Sequence, residues 1–497
     1  MKVIKRDGRI VDYDRNKILI AIEKANNDVI NEKEKASKED IKIITNYIEK
    51  IDKKRILVED MQDIIEQKLM EVGKYELAKK YIVYRYTRAL VRKSNTTDET
   101  ILGLIRNQNR IGETKKKDIL KASTQRDYIA GEVSRDLTKR LLLPEKISKA
   151  NEEGILYFHN SDYFIQPIIN YCVTDVKEML YNGTIINGVE IEEPKTFERA
   201  CNILTQIIAQ VESNIYGKQY IDLSCLGKFL RKSKEEFEKR LKFKEKFDTK
   251  ELEEIINDYE LRQLKDGVQT IKYQIKTLNT TCGKETGVIL YLDLNQEKEY
   301  LEENLKIKEE LLSQMSDEIS EEKYKFQEKF NQGIVSINLP QIAIIADENE
   351  KKFYQILDER LELCKEALMC RHYQLMGTVS DVSPILWQNG GIARLKPGEK
   401  IDKLLYSKYS NLSLGYIGTN EMANLLKGKE TIEEKNKFII NVIKNLKETI
   451  ENWKKETNIG FVLDGHPPES IGYKFAIKDK ERYGTIENVT DKGYYTN

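Results

Sequence analysis

Four cations crowd the start of the chain: Lys5, Arg6, Arg9 and Lys17, arranged around Gly8. Val3-Ile4 reads as a short apolar strand running into a charged turn, and Ile10 to Tyr13 as a second short segment. A helix then opens at Asn16-Lys17-Ile18. A glycine turn feeding a helix N-terminus offers free N–H groups and the positive end of a dipole. Several cations beside it make a site suited to polyphosphate. Two further places could carry chemistry. Cys172 is a lone thiol near an expected helix start, and Asn338 ends a β-type run with an amide able to donate and accept. Gly460 to Ser470 reads as strand, tight turn and helix start. Pro467 or Pro468 suits the first helical turn, and Glu469 suits its dipole.

The elements that must position these groups fall into two regions. In the first ~90 residues the apolar spacing predicts four helices. Asp14 caps the one carrying Ile18, Ile22 and Ala25. Ser37 to Asp40 forms a capping box before Ile41, Ile44 and Ile48. The third carries Ile64, Ile65 and Leu69 and stops near Gly73; the fourth runs from Tyr75 to about Val91. Lys93 to Asp98 reads as a linker, which gives domains 1–93 and 102–497. In the second, helical patterns alternate with β-type runs at Val288–Leu294, Ile334–Leu339, Leu412–Ile417 and Ile459–Leu463. That alternation favours a parallel α/β sheet or barrel. Asn295 to Phe330, rich in Glu and Lys, reads as a solvated helix or helical hairpin.

Composition narrows the function classes. The 497 residues carry 83 Lys+Arg and 83 Asp+Glu, for a formal net charge of zero. That balance argues against broad nucleic-acid binding. No apolar run reaches bilayer length and the N-terminus lacks a signal core, so the expectation is a cytoplasmic protein with no membrane partner. Six cysteines, none in a C-x-x-C pair, argue against a zinc ribbon. Cys201, Cys225, Cys364 and Cys370 read as packing residues and His159 as structural.

Val3 to Gly8, Lys17 to Ala25 and Leu77 to Arg85 together resemble the ATP-cone domain of ribonucleotide reductases. The resemblance implies that Lys5, Arg6, Lys17 and Arg85 contact a regulatory ATP or dATP. Ser123 to Ser134, Leu156 to Asp162, Asp266 to Gln274, Asn331 to Pro340, Ser380 to Trp387, Leu412 to Gly418 and Val489 to Asn497 resemble, in order, the anaerobic (class III) ribonucleoside-triphosphate reductases. That family implies a ten-stranded α/β barrel of the glycyl-radical type, here partial, in which a thiyl radical initiates reduction of a ribonucleoside triphosphate. By the resemblance Cys172 is the second, hydrogen-donating thiol and Asn338 lies near the substrate hydroxyls. His466, Glu469 and Ser470 sit in the loop that cradles the substrate phosphates, with His466 where a smaller residue is usual. The family also implies a homodimer, a radical-SAM activating protein, a glycyl radical, a zinc site, and formate or a thiol system as reductant.

Two departures stand out. The position of the thiyl cysteine, shortly before Asn331, holds Ser313 to Glu322 without a cysteine, and the stretch from Cys282 to Gly333 is short for the family. The sequence also ends at Asn497, before the family's four-cysteine zinc site and radical glycine. The expectation is a reductase chain incomplete by itself, which a complementary C-terminal polypeptide could restore. The alternative is a catalytically inactive nucleotide-binding homologue.

Overall fold

The computed structural model describes residues 2–4, 10–27, 29–51, 55–86, 101, 122–242, 249–277, 287–315, 328–407, 409–428, 430–465 and 469–497. The chain divides into two compact units, Met1–Gly103 and Leu104–Asn497.

In the first unit β1 (Lys2–Ile4) pairs antiparallel with β2 (Ile10–Asp12) and parallel with β3 (Arg55–Leu57). Helices Arg15–Asn27, Lys38–Glu49 and Val58–Glu71, with helical residues 75–86, close over Ile22, Ile44, Ile48, Leu69 and Leu77. Their starts follow local chemistry. The Asp14 carboxylate accepts the Asn16 N–H at 3.0 Å, and Ser37 and Asp40 cap each other reciprocally. The linker Lys93 to Asp98 lies outside the described residues.

The second unit is built on one seven-stranded sheet. Its strands are β4 (Leu156–Phe158), β5 (Cys172–Val173), β8 (Gln219–Asp222), β9 (Val288–Tyr291), β10 (Phe330–Asn338), β11 (Ser410–Ile417) and β12 (Gly460–Asp464); β6 (Thr184–Ile186) and β7 (Val189–Ile191) form a separate hairpin. The order is β12-β11-β10-β5-β8-β9, with β4 also on β10. β10, β11 and β12 run parallel to one another, as do β5, β8 and β9. The two sets meet antiparallel at the pair Phe330–Cys172. β10 and β11 are buried along nearly their whole length, as parallel strands covered on both faces must be.

Helices Glu350–Leu375 and Ile432–Thr457 pack Leu361, Leu368, Val442 and Trp453 on the β10–β12 half. Helices Phe197–Glu212, Leu226–Lys242, Thr249–Thr277 and Leu301–Met315 contribute to the core of the other half. Among the described residues the sheet is open and seven-stranded, in keeping with a partial barrel, and a helix follows β9 before β10. One expectation is corrected. That helix, Leu301–Met315, is a packed layer and not a solvated one: Ile307, Leu311 and Met315 are buried in the core.

Candidate active site and effector pocket

Within the first unit a cavity of about 370 Å³ opens between the small sheet and helices Arg15–Asn27 and Val58–Glu71. Val3, Val11, Ile18, Met61, Ile65 and Tyr81 give it an apolar wall, while Asp12, Asp14, Gln62 and Lys17 supply polar groups. Lys17 is exposed, with Nζ 4.0 Å from the Asp14 carboxylate. Apolar walls with a few polar groups suit a planar heterocycle. Lys5 and Arg6 lie outside the described residues. Arg85 is placed differently from its expected role. It does not line the cavity; its guanidinium is held by Glu59, by Asp63 at 2.6 Å and by Glu66 at 2.8 Å. Burial works against its charge, but those carboxylates outweigh it and raise the pKa. Arg85 therefore staples its own helix to Val58–Glu71, and its charge is already matched.

In the second unit Cys172 lies on the two-residue strand β5, shortly before helix Val176–Tyr181, and is fully buried. Its backbone faces Phe330 on one side and Gln219 on the other. Sγ lies 3.7 Å from the Thr174 hydroxyl, Thr174 donates to Gln219 at 3.4 Å, and Gln219 donates to Glu212 at 3.2 Å. Burial pushes the thiol pKa up to about 12. The sulfur therefore holds its hydrogen at neutral pH and is a poor nucleophile. It suits hydrogen-atom transfer better than thiolate chemistry.

A belt of buried amides crosses the sheet beside it. Asn170 donates to Asn331 Oδ1 at 2.9 Å; Asn331 in turn donates to Asn411 Oδ1 at 2.6 Å and to the Ser413 hydroxyl at 2.8 Å. Next to this belt, at the carboxyl ends of β5, β8 and β9, a crevice of about 420 Å³ is lined by Thr174, Asp175, Asp222, Cys225, Asp293, Glu328 and Lys329, among others. Ligands of open α/β sheets bind at such strand ends. Its four carboxylates outnumber its cations Lys177 and Lys329, so it suits hydroxyl-rich groups better than phosphates.

Asn338 is the clearest correction. It ends β10, eight residues beyond the Phe330–Cys172 pair, roughly 25 Å away at strand rise. Its side chain is also fully used: Oδ1 caps helix Leu339–Ala346 through the Gln341 N–H, and Nδ2 donates to the Gly154 carbonyl and to Asp479 at 2.8 Å. Cys172 and Asn338 cannot serve one small substrate together. Asn331, seven positions earlier in the same motif, is the amide that stands beside Cys172. Its signal in the sequence was an Asn-Gln pair inside an otherwise apolar run. β12 and helix Glu469–Tyr483 flank the expected phosphate loop; His466 and the side chain of Glu469 lie outside the described residues, and Ser470 is exposed in the helix's first turn. His159 is buried against the Ser336 hydroxyl at 2.8 Å, and burial lowers its pKa to about 3, which fits a structural role. Among the described residues no three His, Cys, Asp or Glu side chains converge as metal ligands.

An ATP-cone-like regulatory unit joined to a mixed α/β catalytic body defines a nucleotide-regulated reductase class. The ATP cone domain model matches residues 1–90. A solved anaerobic ribonucleotide reductase from Thermotoga maritima, in complex with dATP and CTP, shares the fold with a TM-score of 0.58 at 14% identity, over 81% of this chain and 80% of that one. The model described as anaerobic ribonucleoside-triphosphate reductase matches residues 116–328 and 318–497, and the chain belongs to that family. The anaerobic ribonucleoside-triphosphate reductase of Haemophilus influenzae is 30% identical over 100% of this chain and 81% of its own length; that of Enterobacteria phage T4 is 29% identical over 81% and 78%. The Haemophilus alignment spans 580 positions for 497 residues, so the relative carries stretches that this chain lacks.

Proposed function

We propose that the chain is the large chain of an anaerobic ribonucleoside-triphosphate reductase. It would replace the 2′-hydroxyl of a ribonucleoside triphosphate by hydrogen, releasing water, with two electrons from formate or a thiol system. The observation that carries this reading is Cys172: a fully buried thiol kept protonated beside a belt of amides, in a chain whose whole length aligns with a reductase. In this reading Cys172 donates hydrogen, and Asn331, rather than Asn338, meets the ribose hydroxyls. Residues 1–93 form the regulatory domain and 102–497 the barrel-type body. The apolar pocket of the first unit takes the adenine of ATP or dATP, with Lys17 and the Lys5-Arg6 turn on the phosphates. Ser470, with His466 and Glu469, belongs to the substrate phosphate loop.

A glycyl radical would supply the one-electron chemistry, installed by a radical-SAM activating protein on a homodimer. A second reading, a nucleotide-binding homologue without turnover, is favoured by one observation: the sequence has no cysteine between Cys282 and Cys364, where the family's hydrogen-abstracting thiol belongs. The two readings separate in an anoxic assay with the activating protein and a complementary C-terminal polypeptide. Deoxynucleotide formation that is lost in Cys172→Ala supports the reductase. Nucleotide binding without product supports the silent homologue.

A further inference from the structure

Three consecutive residues, Tyr495, Thr496 and Asn497, tie together the elements that flank residues 465–470. The Asn497 amide bridges two strand ends. Its Nδ2 donates to the Tyr416 carbonyl on β11 at 2.9 Å and to the Gly465 carbonyl, just past β12, at 3.0 Å. Its Oδ1 accepts the Gly418 N–H at 2.9 Å and the Thr419 N–H at 3.4 Å, which caps helix Thr419–Leu426. Thr496 gives its N–H and its hydroxyl to the buried Glu421 of that helix, at 3.0 and 2.9 Å. The Tyr495 hydroxyl donates at 2.9 Å to Asp479, buried on helix Glu469–Tyr483. The Tyr495 ring packs with Ile471 and Phe475 of the same helix.

The fit is close on both flanks. A Cβ at position 472 would stand 2.6 Å from the Tyr495 carbonyl oxygen, and one at position 465 would stand 2.4 Å from the Tyr416 hydroxyl. Glycine at 472 lets the backbone of Tyr495 lie directly on the helix near its start. A buried carboxylate short of donors is costly, so Glu421 and Asp479 each hold the three residues in place. We infer that Tyr495–Asn497 is a clasp that positions residues 465–470 for the triphosphate of the substrate. Asn497 sets the strand end and Tyr495 sets the start of helix Glu469–Tyr483. The inference rests on the reading of those residues as the substrate phosphate loop. Tyr495 and Asn497 are positioning residues that act through Gly465 and the helix. A phosphate loop held in its bound form spares the nucleotide the cost of ordering it.

The test is calorimetry on the full chain, with CTP and cytidine titrated separately. The ratio of the two affinities reads what the phosphates contribute. Asn497→Ala and Tyr495→Phe are each expected to lower that ratio about tenfold. Cytidine affinity, and dATP affinity in the first unit, are expected to stay unchanged. A merely structural role would weaken CTP and cytidine together and leave the ratio where it was. Tyr495→Phe keeps the packed ring, so it carries the test even where Asn497→Ala fails to fold. An unchanged ratio overturns the clasp and leaves the phosphate-loop reading standing. Equal affinities for CTP and cytidine in the unaltered chain overturn that reading, and the clasp with it.

Discussion

A thiol sealed from water is a different reagent from one at a helix N-terminus. Cys172 is pushed up to about 12 by burial, and Cys364 likewise to about 12. A group whose pKa rises on folding stabilises the fold fully below its unfolded value, about 8.5 for a thiol. That contribution is lost as pH climbs from there toward 12. The urea midpoint is therefore expected to fall between pH 9 and 11, with a shallower fall in Cys172→Ala. Iodoacetamide at pH 8 is expected to leave Cys172 unmodified in the native chain, as peptide mass spectrometry would read. Asn338 belongs to a different economy. Its amide serves the buried Asp479, which also accepts from Gln341 at 2.6 Å and from the Tyr495 hydroxyl at 2.9 Å. Removing it leaves that carboxylate short of a donor and helix Leu339–Ala346 uncapped. Asn338→Ala is expected to cost about 2–3 kcal/mol in urea unfolding. Were Asn338 a substrate contact instead, stability would hold and only substrate binding would suffer.

At the scale of elements, what the sequence disclosed depended on length and on local chemistry. The capping box at Ser37 and the helix stop near Gly73 were legible, because the residues that enforce them are neighbours in the chain. The long buried strands β10 and β11 announced themselves as apolar runs. The two-residue strand β5 and the four-residue strand β8 did not. They exist because neighbours across the sheet pair with them, and no pattern two residues long can say so. Asn331 and Asn338 share one motif, and only the strand pairing tells which end meets Cys172. Arg85 shows the same limit: the resemblance suggested phosphate, yet the i, i+4 and i+7 spacing of Glu59, Asp63 and Glu66 turns one helix face toward it. Arg85→Ala is accordingly expected to destabilise the pairing of those helices by about 1–2 kcal/mol, seen as faster amide exchange over residues 58–71. Lys17→Ala is expected to weaken ATP binding about tenfold in calorimetry while leaving exchange there unchanged.

At the scale of the molecule, the connection between β9 and β10 carries helix Leu301–Met315 and no cysteine. Two parallel sets of strands join antiparallel at Cys172, which sets the buried thiol beside the amide belt. What the chain does not carry between Cys282 and Cys364 is a second cysteine to face that thiol. Losing a residue that forms the reacting radical removes a path rather than slowing it, since no neighbouring side chain abstracts hydrogen from a ribose carbon. β9 pairs with β8 alone among the described residues, which leaves its outer edge open. The chain by itself is therefore expected to bind ATP or dATP yet form no deoxynucleotide under anoxia with an activating protein. The measurement is product quantified by chromatography against nucleotide bound in calorimetry, on the same preparation. Product above background from the chain alone would mean that Cys172, or one of the other five thiols, carries the abstraction, and Cys172→Ala would then identify which.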